Sequence, residues 1–487
     1  MRAAWLAALA ALSATPAFAG TLTLTGVMTG ADHQTFREVP FRVPAGTTAV
    51  TVEFAYTGKD EKSAIDLGLR DPQRFRGWSG GNKARFTVTE TWATPSYLPG
   101  PLPAGEWRLI LGVPNLRKDG RAEYTAKITL NDSPVFHGFA EAPLKSGLGW
   151  YRGDLHLHTG HSDGSCAGRT GQRVPCPLFR TLEAAAGRGL DFVAVTEHNT
   201  TSHHQALAEL QPLFGDLLLI PGREITTFRG HMNVLGVTAP LDFQLGAPRA
   251  PSLDTILDQV AAAGGLASVN HPGLPSGEVC MGCGWTAPTG DSRIQAVEVV
   301  NGAISSGPLS GIGFWEARLN EGRRITAVGG SDNHDPALAG DRAVGVPTTV
   351  VHAENLSQDA ILAGLRAGHA FVDVQGSPDR LLDMTAEANG VTARMGDVLS
   401  LGPGKDARLR LRVKGAAGGR LVFRADAATR VLEPRTLAGD DETVDLAVAG
   451  AAGRHWLRAV VVDADGRPWL IGNPIYLDGD QAAASAP

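Results

Sequence analysis

The sequence predicts a multi-domain fold in which a central, barrel-like α/β domain stands between two β-sandwiches. Three observations lead there. At 487 residues the chain is too long for one ordinary core. Its texture changes twice: short alternating apolar and polar runs give way near Gly149 to strand patterns followed by helical ones, and the alternation returns after Gly376. The 60 Gly and 30 Pro supply the turns that a strand-rich chain requires.

The elements follow in chain order. Met1-Arg2, an apolar run from Ala3 to Ala14 and the small-x-small site Ala17-Phe18-Ala19 predict a cleavable leader over residues 1–19, cut after Ala19. Periplasmic or secreted location is therefore expected. The apolar run is short for a bilayer span, and no later stretch is long enough. Residues 20–147 are expected to form an N-terminal β-sandwich, from alternating runs at Thr21–Thr25, Ala49–Ala55, Ala84–Val88, Trp107–Leu111 and Tyr124–Leu130.

Residues 148–376 carry the strand-then-helix pattern. Strands are expected at Asp154–His158, Phe192–Thr196, Leu217–Ile220, Met232–Val237, Leu266–Val269, Ala296–Val300 and Ile325–Val328. Helices are expected at Pro177–Arg188, Ser202–Leu213, Leu253–Ala263 and Phe314–Asn320; a last helix, Leu356–Ala367, precedes a strand at Ala370–Val374. Repeated β-then-α units imply a parallel sheet, here long enough to close on itself. Residues 377–480 return to alternation and predict a C-terminal sandwich, followed by an Ala-rich, disordered tail at 481–487.

The formal net charge of −6, with no long basic block, gives no reason to expect nucleic acid or an anionic membrane as partner. Export makes Cys166, Cys176, Cys280 and Cys283 readable as two disulfides. Four cysteines allow three pairings, which sequence does not choose among. A structural zinc held by all four is the alternative.

The histidines and acids fall at the strand ends. His156 and His158 alternate at the end of the first strand, so both can reach one ion. Glu197-His198-Asn199 follows the second and Arg223-Glu224 the third. His231 and Asn233 flank Met232, His271 follows the fifth, and Asp332-Asn333-His334 follows the last. Functional groups of parallel barrels gather at the C-terminal strand ends, so one mouth would receive them all. This donor set suits zinc, manganese or iron better than calcium or magnesium. Arg223, Arg229, Arg169 and Arg342 are candidates for binding an anionic group, and Asn199, Asn233 and Asn333 for orienting substrate or capping turns.

The motifs His-x-His-Thr-x-x-Ser-Asp-Gly (156–164), Thr-Glu-His-Asn (196–199), Pro-Gly-x-Glu (221–224), Asn-His-Pro (270–272) and Gly-Ser-Asp-Asn-His (330–334) resemble those of the PHP (polymerase and histidinol phosphatase) superfamily. Glu224-Ile225-Thr226-Thr227 with Gly230-His231-Met232-Asn233, and the ending Asn473-Pro474-Ile475-Tyr476, are similar to its exported CehA/McbA-like branch, named for carbaryl hydrolase. The resemblance implies a distorted (β/α)7 barrel with two or three divalent metal ions, zinc first and manganese or iron as alternatives. It implies that His156, His158, Glu224 and Asp332 hold one ion. Glu224 bridges to a second held by His271, with His231 or Asn233 nearby, and His198 and His334 hold a third. The remaining ligand of that third site falls near Asp163-Gly164, where only Asp163 can coordinate, so two ions stay an alternative. Catalytic roles would fall to Glu224, to Asp332 and to a histidine such as His231. The implied activity is ester hydrolysis of a small molecule by metal-activated water, with phosphoesters favoured over carbamates or carboxylic esters. A non-enzymatic glycan-binding protein with structural metals is the remaining alternative.

Overall fold

The computed structural model describes residues 20–278, 280–287, 293–427, 429 and 432–479; the expected leader and tail lie outside the described residues. The chain divides into two compact units, Met1–Pro134 and Val135–Pro487. Three units with breaks near 147 and 376 were expected, and both boundaries differ. Segment 135–145 is tied to the second unit: Gln358 donates to the Phe136 carbonyl, and Leu144 N donates to Leu356 O at 2.9 Å. Near Gly376 there is no break, because Ala370–Asp373 pairs antiparallel with Pro468–Gly472 and carries one sheet into the C-terminal region.

The first unit is a β-sandwich. One antiparallel sheet is ordered Gly20–Thr29, Arg121–Asn131, Ala49–Tyr56, Arg85–Thr89; the other is ordered Phe36–Val43, Gly105–Asn115, Ala64–Arg70, Phe75–Gly80. Arg121–Asn131 shows why such a segment is a strand: nearly every second side chain is buried, the period of a sheet with one face on a core. Trp107, Phe86 and Leu109 lie at the centre of that core.

Seven strands position the site in the second unit: β1 (Ser146–Asp154), β2 (Phe192–Val195), β3 (Leu218–Thr227), β4 (Gly230–Leu235), β5 (Leu266–Val269), β6 (Ile294–Asn301) and β7 (Thr326–Gly330). β1, β2 and β3 are parallel; β4 is antiparallel to both β3 and β5; β5, β6 and β7 are parallel again. The two ends of this sheet meet beyond the strands, where Asp332 N donates to His156 O at 2.9 Å and His158 N to Asn333 O at 3.0 Å. Helices α1 (Leu178–Gly187), α2 (His204–Leu210), α3 (Leu253–Ala262) and α4 (Ile312–Asn320) occupy the expected stretches, and α5 (Gln358–Ala367) follows.

Regular β-then-α alternation is not what the chain forms. A tight turn joins β3 to β4, and among the described residues no helix separates β5 from β6. The reason is local. Phe228 is 95% exposed at the tip, and Gly230 takes φ +134, a backbone angle that glycine tolerates and Trp285 would deny to a side chain. Beyond β7, Thr348–Asn355 pairs antiparallel with β1. The C-terminal region then builds a second sandwich: a four-stranded antiparallel sheet (Val391–Arg394, Leu381–Ala388, Asp406–Lys414, Asp441–Ala449) shares a core with the continuing sheet through Leu382, Phe371, Phe423 and Leu470.

Candidate metal centre

Nine sequence-predicted residues converge at one end of β1–β7, grouped around Glu224. Leu155–His158 extends past β1, and His156 and His158 are fully buried there. His156 Nε2 lies 3.5 Å from Glu224 Oε1 and 3.3 Å from Asp332 Oδ1; His158 Nε2 lies 3.6 Å from Glu224 Oε2 and 3.2 Å from Asp332 Oδ1. On the other side of Glu224 Oε1, His271 Nε2 stands at 3.4 Å and His231 Nδ1 at 3.3 Å. Glu224 therefore belongs to two donor groups at once. A third group forms toward solvent: His198 Nε2 and His334 Nε2 lie 3.6 and 3.3 Å from the two oxygens of Asp163. The His158 ring stacks between those of His198 and His334.

This geometry fits divalent ions. Two atoms each about 2.1 Å from one ion at the tetrahedral angle stand about 3.4 Å apart, the spacing found here. His156 Nε2 and His158 Nε2 are buried and meet no partner in hydrogen-bonding geometry, so each points a ring nitrogen into the shared space. Orphaned buried polar atoms are costly unless something coordinates them. His156, His271 and Asp332 form one group whose donor atoms lie within 4.8 Å of one another, His156, His158 and Glu224 a second, and His158, Asp163, His198 and His334 a third.

Electrostatics follow from packing carboxylates among imidazoles. Burial pulls the His156 pKa down, but Asp332, Glu298 and Glu224 outweigh it and hold it well above the ordinary value. At His158 burial wins, and the pKa falls. Burial also lowers His198, yet Asp163 and Glu224 raise it to about 10. Burial resists ionisation of Glu224 and Asp332, but neighbouring histidines led by His156 keep both well below the usual carboxylate range. Backbone strain gathers here too: Asp332 has φ +50 and His271 φ +26, left-handed values that cost a non-glycine residue about 1 kcal/mol or more.

Several predicted residues take other places. Glu224 lies within β3 rather than at its end, because that strand runs on through Thr227. Its neighbour Arg223 faces away, is 3% exposed, and donates from Nη2 to Ala239 O at 2.8 Å, which removes it from the mouth. Asn199 spends both ends of its amide on Thr226, donating to its carbonyl at 3.0 Å and accepting from its N at 2.9 Å. Asn233 is buried, donating to Leu155 O and accepting from Asn270. These two asparagines fasten strands and do not present themselves to a substrate. Of the four arginines named as anion-binding candidates, Arg169, Arg229 and Arg342 are exposed, and Arg229 lies on the β3–β4 turn beside His231. Cys166 is joined to Cys176 and Cys280 to Cys283, one of the three pairings the sequence left open.

Residues to which sequence reading assigned no ligand role stand behind the ligands. Glu298 Oε1 accepts from His156 Nδ1 at 2.9 Å, and its Oε2 accepts from His271 N at 2.9 Å. Asn270 donates to Glu224 Oε1 at 2.8 Å. Glu197, fully buried, accepts from Thr159 N and the Ser162 hydroxyl. Asp154 accepts from His156 N, Ser331 N and Gly345 N, pinning β1 to the end of β7. The signal for Glu298 was present: a single acid inside the apolar run Ala296–Val300, where burying a charge demands a partner.

No family model matches the chain. It is similar to an uncharacterised protein of Methanocaldococcus jannaschii, 28% identical over 165 residues, which span 33% of this chain and 88% of that one. A crystal structure of a two-domain protein from Bacteroides vulgatus, containing a predicted PHP-like metal-dependent phosphoesterase, shares 18% identity and a TM-score of 0.39. That match covers 71% of this chain and 98% of the other, a likeness too loose to transfer any residue. No helix among the described residues is long and apolar enough to cross a membrane.

Proposed function

We propose that this chain is an exported metal-dependent hydrolase of small-molecule phosphoesters, built on a distorted (β/α)7 barrel of the PHP superfamily's CehA/McbA-like branch. The observation that carries the hydrolase reading is the sharing of Glu224 between the His156/His158/Asp332 group and the His231/His271 group. Support for the barrel is the strand order and the meeting of the sheet ends at His156 and Asp332. Support for export is the leader pattern together with two disulfides, which persist in oxidising compartments. Divalent ions held by these ligands would polarise the ester and acidify water.

The rest is done by the chain's own groups. Glu298 fixes the His156 ring by accepting a hydrogen bond from Nδ1–H, which leaves Nε2 as the nitrogen that would face an ion. Asn270 orients Glu224, and Asn301 Nδ2 steadies Asp332 Oδ2 at 3.2 Å. Asp332 remains partly exposed beside the mouth and, being ionised, is the carboxylate placed to accept a proton from the attacking water and hand it on to a leaving group. The ligand set holds six imidazoles against three carboxylates (Asp163, Glu224 and Asp332). A full complement of divalent ions would leave positive charge that a phosphoester neutralises and a neutral carbamate does not.

A second reading is hydrolysis of a carbamate or carboxylic ester, favoured by one observation. Phe228 and Met281 are strongly exposed on the β3–β4 turn and on the loop lying against it, an apolar rim suited to an aryl or alkyl leaving group. A panel of p-nitrophenyl phosphate, bis-p-nitrophenyl phosphate, 1-naphthyl acetate and 1-naphthyl methylcarbamate tests both with metal-loaded protein. Phosphoester turnover that disappears in Asp332→Asn is expected. Turnover of the carbamate alone would replace the first reading by the second, and no turnover of any would remove the hydrolase reading.

A further inference from the structure

The loop between β5 and β6 brings sulfur to the metal centre. A ring nitrogen of His231, a ring nitrogen of His271 and Cys283 Sγ lie within 4.8 Å of one another, all three residues buried. His271 Nδ1 is buried without a hydrogen-bond partner, an orphan in the same cluster. His231 directs Nδ1 toward Glu224 while its Nε2 lies 3.2 Å from the Met281 carbonyl, within the Cys280–Cys283 turn itself. Contacts besides the disulfide hold the turn and the segment after it against the β3–β4 hairpin. Thr286 N and Ala287 N both donate to Arg229 O, at 2.8 and 3.0 Å, and Gly282, at φ +82, packs directly on the Thr227 carbonyl. The two sulfurs differ in access: Cys283 is fully buried against the histidines, whereas Cys280 is half-buried.

We propose that the Cys280–Cys283 pair is a redox-controlled ligand, so that reduction frees Cys283 to join His231 and His271 as a thiolate on the second ion. The inference rests on the metal-centre reading above. In the disulfide, Cys283 sulfur is spent on a covalent bond and is a poor ligand; a thiolate is a strong one for zinc-like ions. The chemistry balances with a dithiol or phosphine as reductant. Attack on the accessible Cys280 sulfur breaks the S–S bond and expels Cys283 as thiolate beside the two histidines. With a phosphine, water then releases Cys280 as thiol and leaves the phosphine oxide, which has given up the two electrons. The added anion holds the ion more tightly and lowers its Lewis acidity, so reduction would trade turnover for retention.

Cobalt(II) substitution tests this without relying on activity. Protein is loaded with cobalt, treated anaerobically with a phosphine, desalted, and read by absorption and by cobalt content. The expected result is a sulfur-to-cobalt charge-transfer band in the near ultraviolet on reduction of the native chain. The band should appear without reductant in Cys280→Ser, be absent in Cys283→Ser, and accompany cobalt retention against a chelator raised by about tenfold. Cobalt bound normally with no band in either the reduced native protein or Cys280→Ser overturns the proposal while leaving the metal centre intact. Failure of every form, native included, to bind cobalt overturns both.

Discussion

Replacing Glu298 by Gln keeps the size of the side chain but removes its charge and one of its two acceptor oxygens. Those oxygens receive three hydrogen bonds: from His156 Nδ1 at 2.9 Å, from His271 N at 2.9 Å and from Asn301 Nδ2 at 3.0 Å. A glutamine amide has one oxygen, so whichever way it turns, its own N–H group faces a donor, either His156 Nδ1–H or the His271 amide. The site is 2% exposed at Glu298, and water is not at hand to make good the loss. Losing one buried, charge-assisted bond costs about 1.5–3 kcal/mol. At about 1.4 kcal/mol per tenfold, zinc affinity falls about ten- to a hundredfold, the range seen when carboxylates behind ligating histidines are removed. Competition for zinc against a chromophoric chelator measures the affinity, with circular dichroism to show that the variant is folded. A folded Glu298→Gln protein that binds zinc within about threefold of the native chain would refute the claim that Glu298 sets the His156 donor.

Glu224→Gln is expected to lower metal content at both groups it joins and to cut turnover by about a hundredfold or more; elemental analysis showing one group still fully loaded would confine Glu224 to a single ion. Gly330→Ala removes no ligand, yet its new methyl would strike the His156 Cβ and stand 2.7 Å from Glu298 Oε1, so bound metal should fall and the melting temperature drop. Burial holds His203 at about 4, below the ordinary imidazole value of 6.5, so the unfolded chain takes up its proton first. Stability from this group is therefore complete above about pH 6.5 and lost as pH falls toward 4, about 3 kcal/mol in all; His203→Gln should unfold with a shallower acid dependence in urea titrations. Arg229→Ala should raise KM for phosphoesters about tenfold with metal content unchanged, whereas Arg223→Met should lower thermal stability and leave KM alone.

Much of the site was legible because ligation needs particular side chains at strand ends. His156, His158, His198, His271, Asp332 and His334 were placed by their positions after apolar runs, and the structure brings each to the same end of the sheet. Asp163, picked only as the sole residue near its place able to coordinate, does meet His198 and His334. What sequence hid were residues whose role depends on which way a strand presents them. Arg223 sits beside Glu224 in the chain and on the opposite face of β3, a distinction that motif reading ignores. Asn199 and Asn233 looked like substrate contacts because free amides do that; here backbone carbonyls and a neighbouring amide claim them. The second sandwich was legible as texture but not as continuity, since strand pairing between residues nearly a hundred positions apart leaves no local trace.

The departure from regular alternation is what completes the centre. Had a helix followed β3, the next strand would have run parallel and offered only its C-terminal end to the mouth. The turn at Phe228 and Arg229 reverses the chain, so β4 begins at the mouth, with Thr226 paired to His231 and Glu224 to Asn233. Alternation along an antiparallel pair then puts Glu224, His231 and Asn233 on one face, and His231 reaches the carboxylate that His156 and His158 approach from the other side. Because β5 turns back again, its C-terminal end delivers His271 to the same carboxylate. Two reversals thus let three consecutive strands contribute to one point. The shared position of Glu224 is a consequence of the hairpin, and lengthening that turn should separate the two donor groups before it unfolds either.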